Sequence, residues 1–440
     1  LGADACEIYT DVPGVLSTDP RKVPDAQLMD TVTCNEMLEL ASLGAAVLHP
    51  RAVEIARNYG VPLRVRSSWS EEPGTLLTSN ASSRRGSGEG LELGKPVDGA
   101  ELDTAQAVLA LAHVPDQPGV AAQLFEALSS AGLNVDLIVQ STHEGSSNDI
   151  AFTVADTQLA AAEQVCRDLL AGLGPDAAGA TLSTEAGMAK LSISGAGIMG
   201  RPGVAARLFD TLAKQGINLR LIATSEVKVS CLVAGHQGNK ALQAAASCFE
   251  LGEHQLQLNP APSGRGEPEV RGVALDRDQA QVAVRRIPDR PGTAAAVCRA
   301  LADAAISLDA IVQSERTHGE GEQRSRDMGF CLKRDDLDRA RTALQPLLNQ
   351  WPGASFEEGL AISRVSAVGA GMPCTAGTAA RMFRSLAEAG INIEMIATSE
   401  IRTSCVVAEA DGITALRAVH AAFGLGGAVR YQAQGTEAPV

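Results

Sequence analysis

Aromatic residues make up only 3% of this 440-residue chain, with two Trp, three Tyr and eight Phe. Its cores therefore have to be built from Ala, Leu, Val and Ile, packed through small side chains. Basic charge is also scarce: 37 Lys and Arg stand against 52 Asp and Glu, a net charge of −15. Such a surface repels phosphate backbones and anionic lipid, which argues against nucleic-acid or membrane partners. No apolar run approaches the roughly 18 residues of a membrane span, and no basic-then-apolar signal opens the chain. The nine Cys are odd in number and scattered. Without a CxxC pair or a Cys/His cluster at zinc spacing, the expectation is no metal site and reduced thiols in a cytoplasmic protein. Cys231 and Cys405 sit in apolar strand-like runs and read as small core hydrophobes. The first residue is Leu1, and the chain opens in mid-pattern, as a piece of something longer would.

What the chain has in plenty is repetition. Ile138-Val139-Gln140-Ser141, Ile222-Ala223-Thr224-Ser225, Ile311-Val312-Gln313-Ser314 and Ile396-Ala397-Thr398-Ser399 are near-copies of one phrase. Gly132, Gly216 and Gly390 precede Asn134, Asn218 and Asn392 by two positions, and the third copy has Ala305 and Ser307 there. Counted along the chain, the copies are offset by 222 − 138 = 84 and 396 − 311 = 85, and the first and third by 311 − 138 = 173. A pair was itself duplicated, and an array of modules this size points to receptor work.

One copy can be read element by element. Ala107–Leu111 is a strand, Asp116-Gln117-Pro118-Gly119 a turn, and Val120, Leu124 and Leu128 the inner face of a helix closed by Gly132. Two strands follow, Val135–Ser141 and Asp149–Val154; then comes a helix carrying Leu159, Ala162, Val165 and Leu169, and a last strand near Ala180–Ser183. The order βαββαβ is the ferredoxin-like plan. RNA-binding domains share it, but they stack bases on aromatic residues, and strands reading NVDLIVQS and DIAFTV offer one Phe and no basic stripe. The modules are placed at 97–184, 185–261, 270–358 and 359–436, with Ser, Gly and charge-rich linkers at 79–96 and 262–269. Residues 1–78 form a separate α/β piece. Its helix runs from Asn35 through Leu40 and Leu43, a second follows His49-Pro50 and stops at Gly60, and a strand covers Val61–Ser67. His49 reads as a packed turn residue rather than a base.

The strand-to-helix turns are where a ligand is expected. Copies one and three read VPDQPG and IPDRPG, placing Asp116 and Asp289 before Gly119 and Gly292, with Ala121 and Ala294 in the first helical turn. A helix start with free N–H groups suits a carboxylate, and a neighbouring Asp suits an ammonium. Together they fit the two ends common to free amino acids. Taken alone, an Asp that caps its helix beside a Pro-Gly turn explains the same residues. Recurrence with Gln140 and Gln313 favours a site. Copies two and four lack the Asp, reading IMGRPG and MPCTAG, so one complete site per pair is expected, with Asn218 or Asn392 supplied by the partner copy. Glu226 and Glu400 are candidates to meet a cationic effector side chain, or to form ordinary salt bridges. In the leading α/β piece, the turn-rich stretch from Tyr9 to Lys22 is suited to a nucleotide's ribose and phosphates, although its spacing is neither a Walker loop nor GxGxxG.

The phrases CEIYTDVPGVLSTDPRKVPDA, EMLELASLGAAVLHPRAVEIA and VPLRVRSSWSEEPGTLL resemble the C-terminal part of the aspartate kinase catalytic domain, an amino-acid kinase αβα sandwich. PDQPGVAAQLF, INLRLIATSE and FELG resemble its ACT regulatory domains, and four copies resemble the cyanobacterial form. The resemblance implies transfer of the ATP γ-phosphate, with Mg²⁺, to the aspartate β-carboxylate on the route to lysine, threonine and methionine. It further implies lysine and threonine as inhibitors, and a homodimer through the ACT domains. By motif match Thr10, Asp11, Asp19 and Arg21 fall in the ATP-binding stretch. Ala46 stands where the family usually has Lys or Arg, and Leu16 where it usually has Tyr. The family's Lys-Phe-Gly-Gly-Thr-Ser and Gly-Arg-Gly-Gly-Ser-Asp segments are absent from these residues, so the chain by itself is expected to bind effectors without turning over. A free-standing ACT-repeat binding protein is the alternative.

Overall fold

The computed structural model describes residues 5–44, 47–79, 95–142, 147–177, 179–198, 201–313, 324–359 and 361–427. Ala46 and most of the first linker lie outside them. In the first region, helix Cys34–Ser42 starts where Thr33 accepts from the Glu36 N–H at 3.2 Å while Glu36 accepts from the Thr33 N–H at 2.8 Å. That reciprocal cap satisfies two donors that a helix start leaves open. Helix Pro50–Tyr59 begins with Pro in its first turn and ends at Gly60, whose φ of 63° is left-handed. His49 Nδ1 accepts from the Arg51 N–H at 3.2 Å, so it caps the helix; its side chain is exposed rather than packed. Strands Cys6–Thr10, Leu63–Ser67, Thr75–Thr78 and Thr31–Thr33 lie in that order in one sheet. Met37, Leu38, Val53, Val65 and Leu77 fill the space between sheet and helices.

The four repeats follow the ferredoxin-like order, with two strands lent between repeats. The third repeat is self-contained: its sheet runs Asp309–Gln313, Ser325–Lys333, Gln279–Pro288, Ser355–Gly359. The second repeat borrows. Gly99–Asp103, which the sequence placed at the start of the first repeat, instead pairs antiparallel with Lys190–Ser194 and closes the second repeat's sheet. The chain then breaks register between Asp103 and Gln106, with Ala105 at φ 59°, and continues as the first repeat's own central strand. The fourth repeat borrows in the same way, from Gly272–Asp276 paired with Arg364–Val368.

Although the repeats come as two tandem pairs along the chain, they dock crosswise. Strand Ile138–Thr142 of the first repeat pairs antiparallel with Met395–Ser399 of the fourth, through Ile396 opposite Gln140 and Ala397 opposite Val139. Helices Val120–Ser130 and Thr378–Glu388 of the same repeats meet at an edge-on Phe125–Phe383 contact, ring centroids 5.3 Å apart. One hydrophobic core holds Phe209 and Leu212 of the second repeat with Val297 and Leu301 of the third. The Ile138 N–H donates to Thr398 Oγ1 at 2.7 Å in one pairing, and the Ile311 N–H to Thr224 Oγ1 at 3.0 Å in the other. The same joint is made twice.

Candidate functional site

Each crosswise joint brings a complete turn from one repeat to the Asn of the other. Gly119 and Gly292, at φ 101° and 97°, allow the chain to swing from strand into helix in a conformation that side-chain-bearing residues rarely take. Asp116 is thereby aimed across the interface, where its Oδ1 accepts from Asn392 Nδ2 at 2.7 Å and from Asn148 Nδ2 at 2.8 Å. Asp289 accepts from Asn218 Nδ2 at 3.1 Å and pairs with Arg326 Nε at 2.9 Å. The partners are therefore one with four and three with two, not one with two and three with four. Gly119, Ala121 and Gln140 line the first pocket, and Gly292, Ala294 and Gln313 the second. Gln140 Nε2 reaches the Ile393 carbonyl at 2.7 Å.

Two buried amide oxygens stand out. Asn148 Oδ1 in the first pocket and Gln313 Oε1 in the second have no hydrogen-bond partner. A buried acceptor left open costs about 1–3 kcal/mol, so each pocket lacks a donor. Both pockets are closed down to about 20 Å³, room for a water. They differ in charge. Asn148 and Gln117 of the first correspond to Arg326 and Arg290 of the second, and Arg324 Nε comes within 3.8 Å of Asp289. Burial acts to raise the Asp289 pKa, but Arg326 and then Asn218 outweigh it and hold the carboxyl below its ordinary range.

Glu226 and Glu400 lie elsewhere. Glu226 faces a buried ion cluster: Arg402 Nη1 pairs with Glu39 at 2.9 Å, its Nη2 with Asp309 at 3.0 Å, and Glu226 sits 4.0 Å from Nη1. Arg364 joins the cluster through Asp309 and, at 3.1 Å, Asp276. Burial first, then the charges of Asp309 and Glu39, push the Glu226 pKa up to about 8 despite Arg402 and Arg364. Glu39 belongs to the first region, Glu226 to the second repeat, Asp309 to the third and Arg402 to the fourth, so the cluster pins four units together. Glu400 pairs with Lys228 and accepts from Ser263 Oγ at 2.5 Å, on the wall of a separate cavity of about 410 Å³. Arg402 and Arg364 interrupt apolar strands in the sequence; a charge in such a run is the signal that marks a buried pair.

The nucleotide-like stretch is held by the fourth repeat. Ser17 Oγ lies 2.9 Å from His420 Nε2 and donates to the Leu425 carbonyl, while Arg417 Nε donates to the Lys22 carbonyl at 3.0 Å. Leu16 is buried in this loop. Thr10 Oγ1 donates to Asp11 at 3.0 Å. Asp19 takes both Nε and Nη2 of Arg21, at 2.9 and 3.1 Å, and Lys22 at 3.2 Å. Burial works upward on Asp19, but Arg21 and Lys22 bring its carboxyl below the ordinary value. The stretch thus carries two cations gathered on Asp19, of which Arg21 is exposed and also feels the charge of Asp11. Among the described residues no group of three His, Cys, Asp or Glu side chains is placed to hold a metal ion, and no helix is long and apolar enough to cross a membrane.

Residues 108–169 and 282–349 match one ACT domain model, residues 191–249 and 365–423 another, and residues 1–67 match the amino acid kinase family. The crystal structure of aspartate kinase from Synechocystis superposes with a TM-score of 0.89 at 50% identity, covering 98% of this chain and 73% of that one. The chain belongs to the aspartate kinase family. Aspartokinase from Thermus thermophilus is 42% identical over 253 residues, and that from Pseudomonas aeruginosa 41% identical over 269. The chain spans 59% and 60% of the lengths of those two aspartokinases. Within an aspartate kinase, the first region is a piece of the amino-acid kinase sandwich and the four repeats are ACT domains.

Proposed function

We propose that this chain carries the feedback-sensing region of an enzyme that phosphorylates the β-carboxylate of aspartate with ATP, and that its crosswise ACT joints bind free amino acids, lysine and threonine. The supporting observation is the repeated constellation at the joints: an Asp and an Asn from different repeats, a helix start behind a left-handed Gly, and a buried amide oxygen short of a donor. An amino acid's ammonium supplies the missing donor, and its carboxylate meets the helix start. Binding between repeats, rather than within one, makes ligand affinity depend on how the repeats are docked, which is the requirement for coupling a sensor to a distant site.

Thr10, Asp11, Asp19 and Arg21 are the residues that would hold ATP, Arg21 supplying charge for its phosphates; Mg²⁺ would arrive with the nucleotide. The fourth repeat's grip on Ser17 and Lys22 gives the sensing region direct purchase on that loop. We place the protein in the cytoplasm, as a homodimer through its ACT domains. Phosphoryl transfer would also draw on the family's glycine-rich segments, which do not occur among these 440 residues.

Titration calorimetry of the whole chain with lysine and with threonine tests the reading. Heat is expected with both, and Asp116→Ala should weaken at least one of them by tenfold or more. No heat and no thermal shift with either would sink it.

A further inference from the structure

The buried ion cluster and the wall of the large cavity are two copies of one arrangement. Beside the cavity stand Asp103, Asp136, Lys190, Lys228 and Glu400. Their counterparts in the cluster are Asp276, Asp309, Arg364, Arg402 and Glu226, with offsets such as 309 − 136 = 173 and 402 − 228 = 174. The ion pairs correspond as well. Lys190 pairs with Asp136 as Arg364 does with Asp309, and Lys228 pairs with Glu400 as Arg402 does, at 4.0 Å, with Glu226.

One position breaks the correspondence. Glu101, on the lent strand, lies 2.6 Å from Lys228, and its counterpart is Ala274, since 274 − 101 = 173. The repeats therefore offer Arg402 no acid at the place of Glu101. It comes instead from the first region: Glu39, fully buried on helix Cys34–Ser42, lies 2.9 Å from Arg402 Nη1. Ala274 is buried in the core that holds Met37 and Leu40 of that helix, so the small side chain leaves the room that the helix takes. Glu39 also accepts from the Glu226 N–H at 3.1 Å and from the Ser225 hydroxyl. At the matching turn beside the cavity, Ser399 Oγ is buried without a hydrogen-bond partner.

We propose that this corner of the joint between the second and third repeats, completed by Arg402 of the fourth, is a carboxylate-binding socket whose ligand is the chain's own Glu39. A guanidinium, a backbone N–H and a hydroxyl converge on one carboxylate, and they come from two different repeats. Docking of the first region is thus a tethered binding event. Any shift that parts Arg402 from the Ser225-Glu226 turn weakens the socket's hold on helix Cys34–Ser42, whatever ligand drives it. Glu36, one turn earlier, accepts from Arg271 Nε at 3.2 Å and from the Ala370 N–H at 2.8 Å, so the helix keeps a second anchor when Glu39 is withdrawn.

Chemical rescue on the whole chain decides it. Glu39→Ala removes one methylene and one carboxylate, which acetate can replace carbon for carbon. In chloride, backbone hydrogen exchange over Cys34–Ser42 is expected to be about tenfold faster or more in Glu39→Ala than in the unaltered chain. Acetate at the same ionic strength should slow it again, saturably, and leave the unaltered chain unmoved. Glu39→Gln fills the space with a neutral amide, so it should exchange faster than the unaltered chain and ignore acetate. Exchange in Glu39→Ala at the unaltered rate, or slowed no more by acetate than by chloride, overturns the proposal. An equal response to acetate in the unaltered chain overturns it too. If Glu39→Ala does not fold in chloride, recovery of its fold in acetate supports the socket, and failure to recover overturns it.

Discussion

Replacing Glu226 with Gln should stabilise the protein, and increasingly so as pH rises. Three carboxylates, Glu39, Glu226 and Asp309, converge on Arg402, with Arg364 the second cation. Burial works upward on Asp309, but Arg364 and then Arg402 outweigh it, so this carboxyl takes both guanidiniums and stays ionised. The excess negative charge therefore falls on Glu226, which holds its proton up to about pH 8, against about 4.3 in an unfolded chain. A carboxyl raised on folding costs nothing below the unfolded value and progressively destabilises the fold as pH climbs toward the folded one. The full cost would be about 5 kcal/mol at 1.36 kcal/mol per pH unit. Glu39 is raised as well, chiefly by burial, and shares the proton, and 15% of the Glu226 side chain meets solvent; together these leave about 2 kcal/mol falling between pH 6 and 9. Glutamine keeps the shape and carries no charge. Urea unfolding midpoints of the two proteins at pH 6, 7.5 and 9 should diverge by that amount, with unchanged slopes. A gap that stays flat across the window, or a Gln variant less stable at pH 9, would refute the charge count in the cluster.

Arg402→Met leaves Glu39 and Asp309 buried beside a side chain with no charge to offer. A loss of about 3–5 kcal/mol is expected in urea unfolding, and a loss under about 1 kcal/mol would mean that the carboxylates rearrange freely. Phe383→Ala removes a fully buried ring at the meeting of the first and fourth repeats, at a cost of about 3–5 kcal/mol; threonine affinity should fall with it, since the joint forms the pocket. Arg326→Asn makes the Asp289 pocket resemble the Asp116 pocket, and calorimetry should then show tighter binding of an amino acid there; unaltered heats would show that Arg326 does not compete for the carboxylate.

Much of the fold could be read from residue order. The near-equal offsets within the two pairs, the glycines closing each helix and the strand alternation placed four βαββαβ repeats, because those signals are local. The crosswise docking could not be read, since Ile138–Gln140 is equally suited to an edge of any repeat, and nothing nearby says which. The Asp-Asn constellation was recognised but matched to the wrong partners for the same reason. Asn148 and Arg326 went unnoticed because each lies at the end of a strand, more than thirty positions from the Asp it meets. Glu226 looked available because it follows a polar Thr-Ser, whereas burial against Arg402, on a strand two repeats further along the chain, decides its role.

The loaned strands set the unit in which this architecture can be inherited. Copying the first repeat alone, from Gln106 onward, would carry no strand to spare; copying the second alone would leave its sheet with a bare edge beside Lys190–Ser194. Only lender and borrower together make a closed piece. A doubling of the sensor that keeps every sheet closed moves both at once, and the spacing between the odd repeats, 311 − 138 = 173, is the length of that cassette.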